Sequence, residues 1–294
     1  MTVPDERFQV TAVYWGPKLR STGVLFSAND AMANLALGEF HGDLRETIFD
    51  YDEQPGVAIA VLPVDWHQGA AMDRRFAVWG LYLAIFHMTQ RSKYTCNTFH
   101  LFWDGTEVGT LGFVRGVLRQ STLTAESASS QGLLSLSNGT ATEATTLSLP
   151  FRESVNGTAT APLGEVVFGL NVELKGQMMP INNVFIVVLG ALSDIAAVSN
   201  KDGRVSTYSY RQAPVLAFVS FATLGYDPLG PPPFMTYRHV VEALAHLPVV
   251  MYDRRVFSEA DMLLRLDDKE VGMGLLRELR PRGGEGGGGG VAVS

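Results

Sequence analysis

Cysteine is all but missing from this chain: Cys96 is the only one among 294 residues. No disulfide can close within the chain, so the fold has to rest on core packing. Cys96 has no obvious base beside it and reads as a buried structural thiol rather than a nucleophile. Long apolar runs are missing too. The two longest, residues 77–86 and 184–192, fall short of the ~18 residues that a membrane helix needs. Nor is there an excess of positive charge, since 23 Lys and Arg stand against 30 Asp and Glu for a net charge of −7. Nucleic acid and anionic membranes both call for a basic surface, so neither is expected as a partner.

Residues 1–10 lack a basic segment followed by an apolar core, so no signal peptide is expected and the chain reads as cytoplasmic. The alternative is a secreted chain whose leader has been removed. Catalytic signatures are also missing. Without His-Glu-x-x-His or Cys-x-x-Cys, no metal is expected. No glycine pattern follows a strand and opens a helix as a phosphate cradle would, and Gly-x-Ser-x-Gly does not occur. No cofactor is expected.

What is present is globular: 46% hydrophobic and 18% charged residues. Asp104-Gly105 sits between two alternating apolar runs, residues 97–103 and 107–114. This dipeptide is a strong hairpin signal, because both central residues of a type I′ turn need positive φ. Residues 8–14 alternate as a strand and stop at Gly16-Pro17. Residues 22–26 read as a second strand, followed by a helix over 28–37 that ends at Gly38. Residues 45–51 and 57–62 read as two further strands. Met72, Phe76, Trp79, Leu83 and Phe86 then recur at helical spacing, with Asp73 as the cap.

The second part of the chain replays this order. Phe168 echoes Phe8 at an offset of 160, and Asp194 echoes Asp30 at 164. Tyr210 and Pro214 echo Tyr51 and Pro55 at 159. Thr236 echoes Asp73, and Asp267 echoes Asp104, both at 163. Residues 185–189 match the strand read at 22–26. Pro248, which falls where Ile85 continues the first long helix, should stop or kink the second. The fold expected is α+β, two duplicated halves each ordered ββαββαββ with two helices on one face of a mainly antiparallel sheet.

The expected boundaries are a first half over 1–115, a Ser/Thr/Gly-rich arm over 116–164, a second half over 165–280 and a glycine-rich tail over 281–294. Short strands are expected at 133–136 and 146–149 in the arm, which also carries formal glycosylation acceptors at Asn138 and Asn156. The tail is too poor in apolar residues to order itself.

Polar groups suited to chemistry are few. His41-Gly42-Asp43 and Asp65-Trp66-His67 each place a carboxylate two residues from an imidazole, and a carboxylate can orient a histidine for general-base work. Trp66 and Tyr226 are the candidate binding residues. His87 and His100 read as packed, and His239 and His246 lie two turns apart, too far to share a metal ion.

Three functions are compatible with this sequence. The first is a noncatalytic binding or interaction protein, with a small molecule or a protein as its ligand. The second is a cofactor-independent enzyme acting on a small apolar substrate in a cleft between the halves. The third is a self-assembling scaffold, which would form a homo-oligomer.

Overall fold

Asp104 and Gly105 have φ values of 52° and 76°, as a type I′ hairpin requires. The computed structural model that places them describes residues 4–51, 56–116, 168–212, 215–225, 233–267 and 269–279. The expectations for the arm, for Tyr226 and for the glycine-rich tail lie outside these residues. So does Asp268, but Asp267 repeats the turn of Asp104 with φ 48°.

In chain order the first set of elements is β1 (Phe8–Lys18), α1 (Ser21–Leu37), β2 (Asp43–Leu44), β3 (Thr47–Asp50), β4 (Ala58–Pro63), β5 (Met72–Asp73), α2 (Arg74–Gln90), β6 (Thr95–Trp103) and β7 (Thr106–Val114). The second set is β8 (Phe168–Met178), α3 (Ile181–Ala196), β9 (Thr207–Gln212), β10 (Ala217–Thr223), α4 (Tyr237–Asp253), β11 (Ser258–Leu266) and β12 (Lys269–Glu278). Two antiparallel five-stranded sheets result, ordered β1-β6-β7-β4-β3 and β8-β11-β12-β10-β9. The fold is α+β, and the strand orders correspond place for place.

The correspondence reaches individual residues. Both long helices α2 and α4 have 17 residues and start 163 apart. The ladder of β6 with β7 slips between Leu101 and Phe102, and that of β11 with β12 slips between Leu264 and Arg265, again 163 apart. Two sequence echoes are out of register. α1 and α3 start at 21 and 181, so Asp30 lies opposite Gly190 and not Asp194. Val61 pairs with Thr47 and Phe221 with Tyr208, so Tyr210 corresponds to Phe49 rather than Tyr51.

Counting the strands of the five-stranded sheets, the order within each set is βαββαββ, and the strand expected over 22–26 does not form. Those residues are the first turns of α1, and residues 185–189 lie inside α3. The reason is burial. Val24, Leu25, Phe26, Ala28, Ala31, Met32, Ala33, Leu35 and Ala36 are all core residues, so α1 is covered on several sides and shows no one-sided 3.6-residue period. A short apolar run without that period reads equally as a buried strand. α4 also continues through Pro248 to Asp253. Pro248 removes the N–H that the Leu244 carbonyl would accept, and the adjacent Ala245 carbonyl takes a hydrogen bond from Asn29 Nδ2 at 2.8 Å.

α1 and α2 lie against one face of the first sheet, and α3 and α4 against one face of the second. The helices then meet each other, α1 on α3 and α4, and α2 on α3. The layers therefore run sheet, helices, helices, sheet. Phe26 sits at the centre, edge-on to Phe185 and to Tyr252 at 5.0 Å from each. One continuous core joins both sets of elements.

Candidate functional site

His41 follows α1 in a turn closed by the Gly42 N–H donating to the Glu39 carbonyl. The strand after it is tied down, because β2 pairs with β5 and sets Asp43 opposite Asp73. His41 Nδ1 therefore lies 3.2 Å from Asp73 Oδ2, and the bonded carboxylate is Asp73 rather than Asp43. Asp73 is already engaged as the N-cap of α2: Oδ1 accepts from the Arg75 N–H at 3.0 Å, and Oδ2 lies 3.1 Å from Arg75 Nε. The His41 side chain is 68% exposed, and Asp43 is exposed as well.

Asp65 adopts φ 58° and opens a 3-10 turn over Trp66–Gln68. His67 leans on the Trp66 ring with centroids 3.6 Å apart. Asp65 and His67 are exposed and Trp66 is half-buried. Each histidine loop thus faces solvent. Among the described residues no group of three His, Cys, Asp or Glu side chains could hold a metal ion, and no helix is long and apolar enough to cross a membrane. An open depression of about 440 Å³ lies where β1 meets α1, lined by Lys18, Leu19, Arg20, Ser21 and Thr22. It contains none of the candidate residues.

The remaining histidines are held by neighbours. His87 Nδ1 is 2.9 Å from the Tyr14 hydroxyl, and burial lowers its pKa. His100 pairs with Glu107 at 2.7 Å. His239 Nδ1 accepts from the Thr236 N–H at the start of α4 while its ring stacks on Phe168. Cys96 is buried on β6, where Gly16 gives it room that a Cβ would fill.

Several polar groups have no motif to announce them. Lys201 is buried, and its Nζ donates to the Ile195, Ala196 and Val198 carbonyls at the C-terminal end of α3. Glu242 on α4 is pushed up to about 7 by burial, opposed by Arg238 one turn away. Its Oε2 finds no hydrogen-bond partner among the described residues. Between the two sets of elements, Tyr82 is hydrogen-bonded with Tyr210 and Gln212, and the Tyr210 hydroxyl donates to Gln212 Oε1 at 2.6 Å.

The outer faces of the two sheets differ sharply. On the first sheet the register puts Gln9, Thr11, Val13 and Trp15 outward beside Thr98, His100 and Phe102 of β6, followed by Thr110, Gly112, Ala60, Leu62 and Ile48. Val13, Trp15 and Ile48 are each about half exposed. The second sheet carries an ion-pair network on its outer face, beside the apolar Leu263, Leu275 and Met273, the last 49% exposed. Lys175 bridges Glu173 and Asp261, Asp261 also meets Arg277, which approaches Glu259, and Arg265 pairs with Glu270. No protein-family model, curated protein or solved structure matches this chain.

Proposed function

We propose that this chain is a noncatalytic interaction protein, built by internal duplication, that meets a protein partner through the outer face of its first sheet. The observation that carries this reading is the contrast between two faces of matching topology. One is crossed by ion pairs, with Met273 exposed beside them, and the other presents Val13, Trp15, Phe102, Leu62 and Ile48, with the His100–Glu107 pair among them and Asp50 at the end of β3. Exposed apolar side chains gathered on one face mark interaction sites, and the partner they suit is an uncharged, largely apolar protein surface. The matched strand order and the two ladder slips 163 residues apart support the duplication. The exposed histidine loops, with His41 bound to a helix cap, favour a noncatalytic role.

An apolar fluorescent dye tests the surface. The wild-type protein should enhance its emission saturably, and Val13→Lys with Ile48→Lys should abolish most of that signal at unchanged circular dichroism. An undiminished signal in the double variant would remove the first sheet from consideration. A small molecule retained in one-to-one ratio by the full chain in native mass spectrometry would instead favour a small-molecule ligand over a protein partner.

A further inference from the structure

β1 is an edge strand: among the described residues it pairs only with β6. Which of its backbone groups face the open side follows from one bond at its start. The Asp104 N–H donates to the Arg7 carbonyl at 3.0 Å, in the same register as Phe8 opposite Trp103. In an antiparallel ladder the orientation alternates, so Gln9, Thr11 and Val13 bond to β6 while Val10, Ala12 and Tyr14 point their N–H and C=O groups to the free edge. The Phe8 N–H, also on that side, is taken by the Asp5 carbonyl. Pro17 has the parity of the β6 side and lies in the irregular stretch between Tyr14 and Lys18, so its missing N–H does nothing to blunt the free edge.

The second set of elements shows what a blunted edge looks like here. β8 occupies the place of β1, and Val172 the place of Ala12. The Val172 carbonyl is capped by Arg254 Nη1 at 2.8 Å, and β8 carries Glu173 and Lys175 where β1 has Val13 and Trp15. Charges and capped backbone groups are how proteins keep sheet edges from pairing. β1 has neither device. It runs uncharged from Phe8 to Pro17, and no side chain among the described residues hydrogen-bonds the backbone of Val10, Ala12 or Tyr14.

We infer that β1 pairs antiparallel with β1 of a second copy of this chain, joining two first sheets into one. The twofold axis falls at Ala12, which faces its own counterpart, and Val10 faces Tyr14 of the partner subunit. Each such pair exchanges two backbone hydrogen bonds. On the outer face Thr11 then lies across from Val13 and Gln9 from Trp15, so no like charges oppose each other. That neutrality matters, because two chains of net charge −7 repel. At the ends the same axis brings Glu6 of one copy toward Lys18 of the other, while Arg7 is occupied by Asp5 at 2.7 Å. An isologous contact of this kind closes on itself and leaves no open end.

Sedimentation and light scattering of the full chain test the pairing. The wild-type protein should have twice its chain mass of 32.0 kDa, dissociating on dilution. Ala12→Pro removes an N–H from the free edge alone and should return the mass to one chain. Val13→Glu with Trp15→Lys, which places the β8 side chains on exposed positions of β1, should do the same at unchanged circular dichroism, even if the proline variant fails to fold. Amide exchange at Val10, Ala12 and Tyr14 should slow as concentration rises. A wild-type monomer at high concentration, a dimer that survives the Val13 and Trp15 exchange, or edge amides protected equally at every concentration would each overturn the inference. A monomer would leave the interaction role of the outer face standing, since the dye test reads that face separately.

Discussion

Lys201 shows how much a single buried side chain can settle without any motif to announce it. The last carbonyls of a helix have no partner within the helix, and one ammonium serves two of them at the end of α3, Ile195 and Ala196, together with the Val198 carbonyl just beyond. Replacing it by methionine, of similar length but with no donor, should cost about 1.5–3 kcal/mol in urea unfolding, the range for hydrogen bonds to a charged group. Glu242 makes the opposite case. Trp79 stands 163 residues earlier in an aromatic cluster with Phe8, Phe76, Phe40 and Trp103, and its Nε1 is likewise without a partner among the described residues. Unfolded, the Glu242 carboxyl titrates near 4.5, and folded near 7. Between those values the folded chain holds a proton that the unfolded chain has shed, so the contribution of Glu242 to stability is greatest below pH 4.5 and is lost as pH rises through 7. The loss amounts to at most about 3.5 kcal/mol at ~1.4 kcal/mol per pH unit. Glu242→Gln should flatten this dependence, so that urea midpoints at pH 5 and pH 8 draw together. An unchanged gap would assign the pH dependence to other groups.

At the scale of elements, legibility followed periodicity. α2 and the hairpin of β6 and β7 could be read because one face of each is wetter than the other, and Asp73 was legible as a cap from its place before the run. α1 and α3 could not, since burial on several sides erases the period and leaves an apolar run that fits a strand equally well. The carboxylate that His41 meets was illegible for another reason. Asp43 is the near neighbour of His41 in sequence, but the pairing of β2 with β5 is a long-range contact that delivers Asp73 instead. Lys201 and Glu242 were invisible because burial defines both, and no pattern marks a charged residue as buried, even where its partners are as near in sequence as those of Lys201. Asp73 therefore matters as a helix cap more than as a partner of His41. Asp73→Ala should lower stability by about 1 kcal/mol, the usual cost of losing an N-cap. His41→Ala, removing an exposed partner, should stay within about 0.5 kcal/mol. Chemical denaturation of the two variants compares them directly, and an equal loss in both would make the His41–Asp73 pair the more important contact.

At the scale of the molecule, the likeness of the two sets of elements could be read in sequence as an ordered series of echoes, but the way they join could not. A cleft was the expectation from architecture alone. The helices instead meet in a shared core, where Phe26 touches Phe185 and Tyr252, Asn29 bonds Ala245 and the Tyr94 hydroxyl donates to Asn182 at 3.2 Å. Two sheets that bury their helices against each other cannot lose one without exposing the apolar side of the other. Unfolding should therefore be one cooperative event, with equal calorimetric and van't Hoff enthalpies. Phe26→Ala should lower stability by about 3–5 kcal/mol, as for a large ring removed from a filled core. Because the Phe26 ring meets Tyr51 of its own set of elements and Phe185 and Tyr252 of the other, the variant should still melt in a single step at a lower temperature. Two resolved transitions, only one of them moved by Phe26→Ala, would mean that the helix layers adhere without depending on each other.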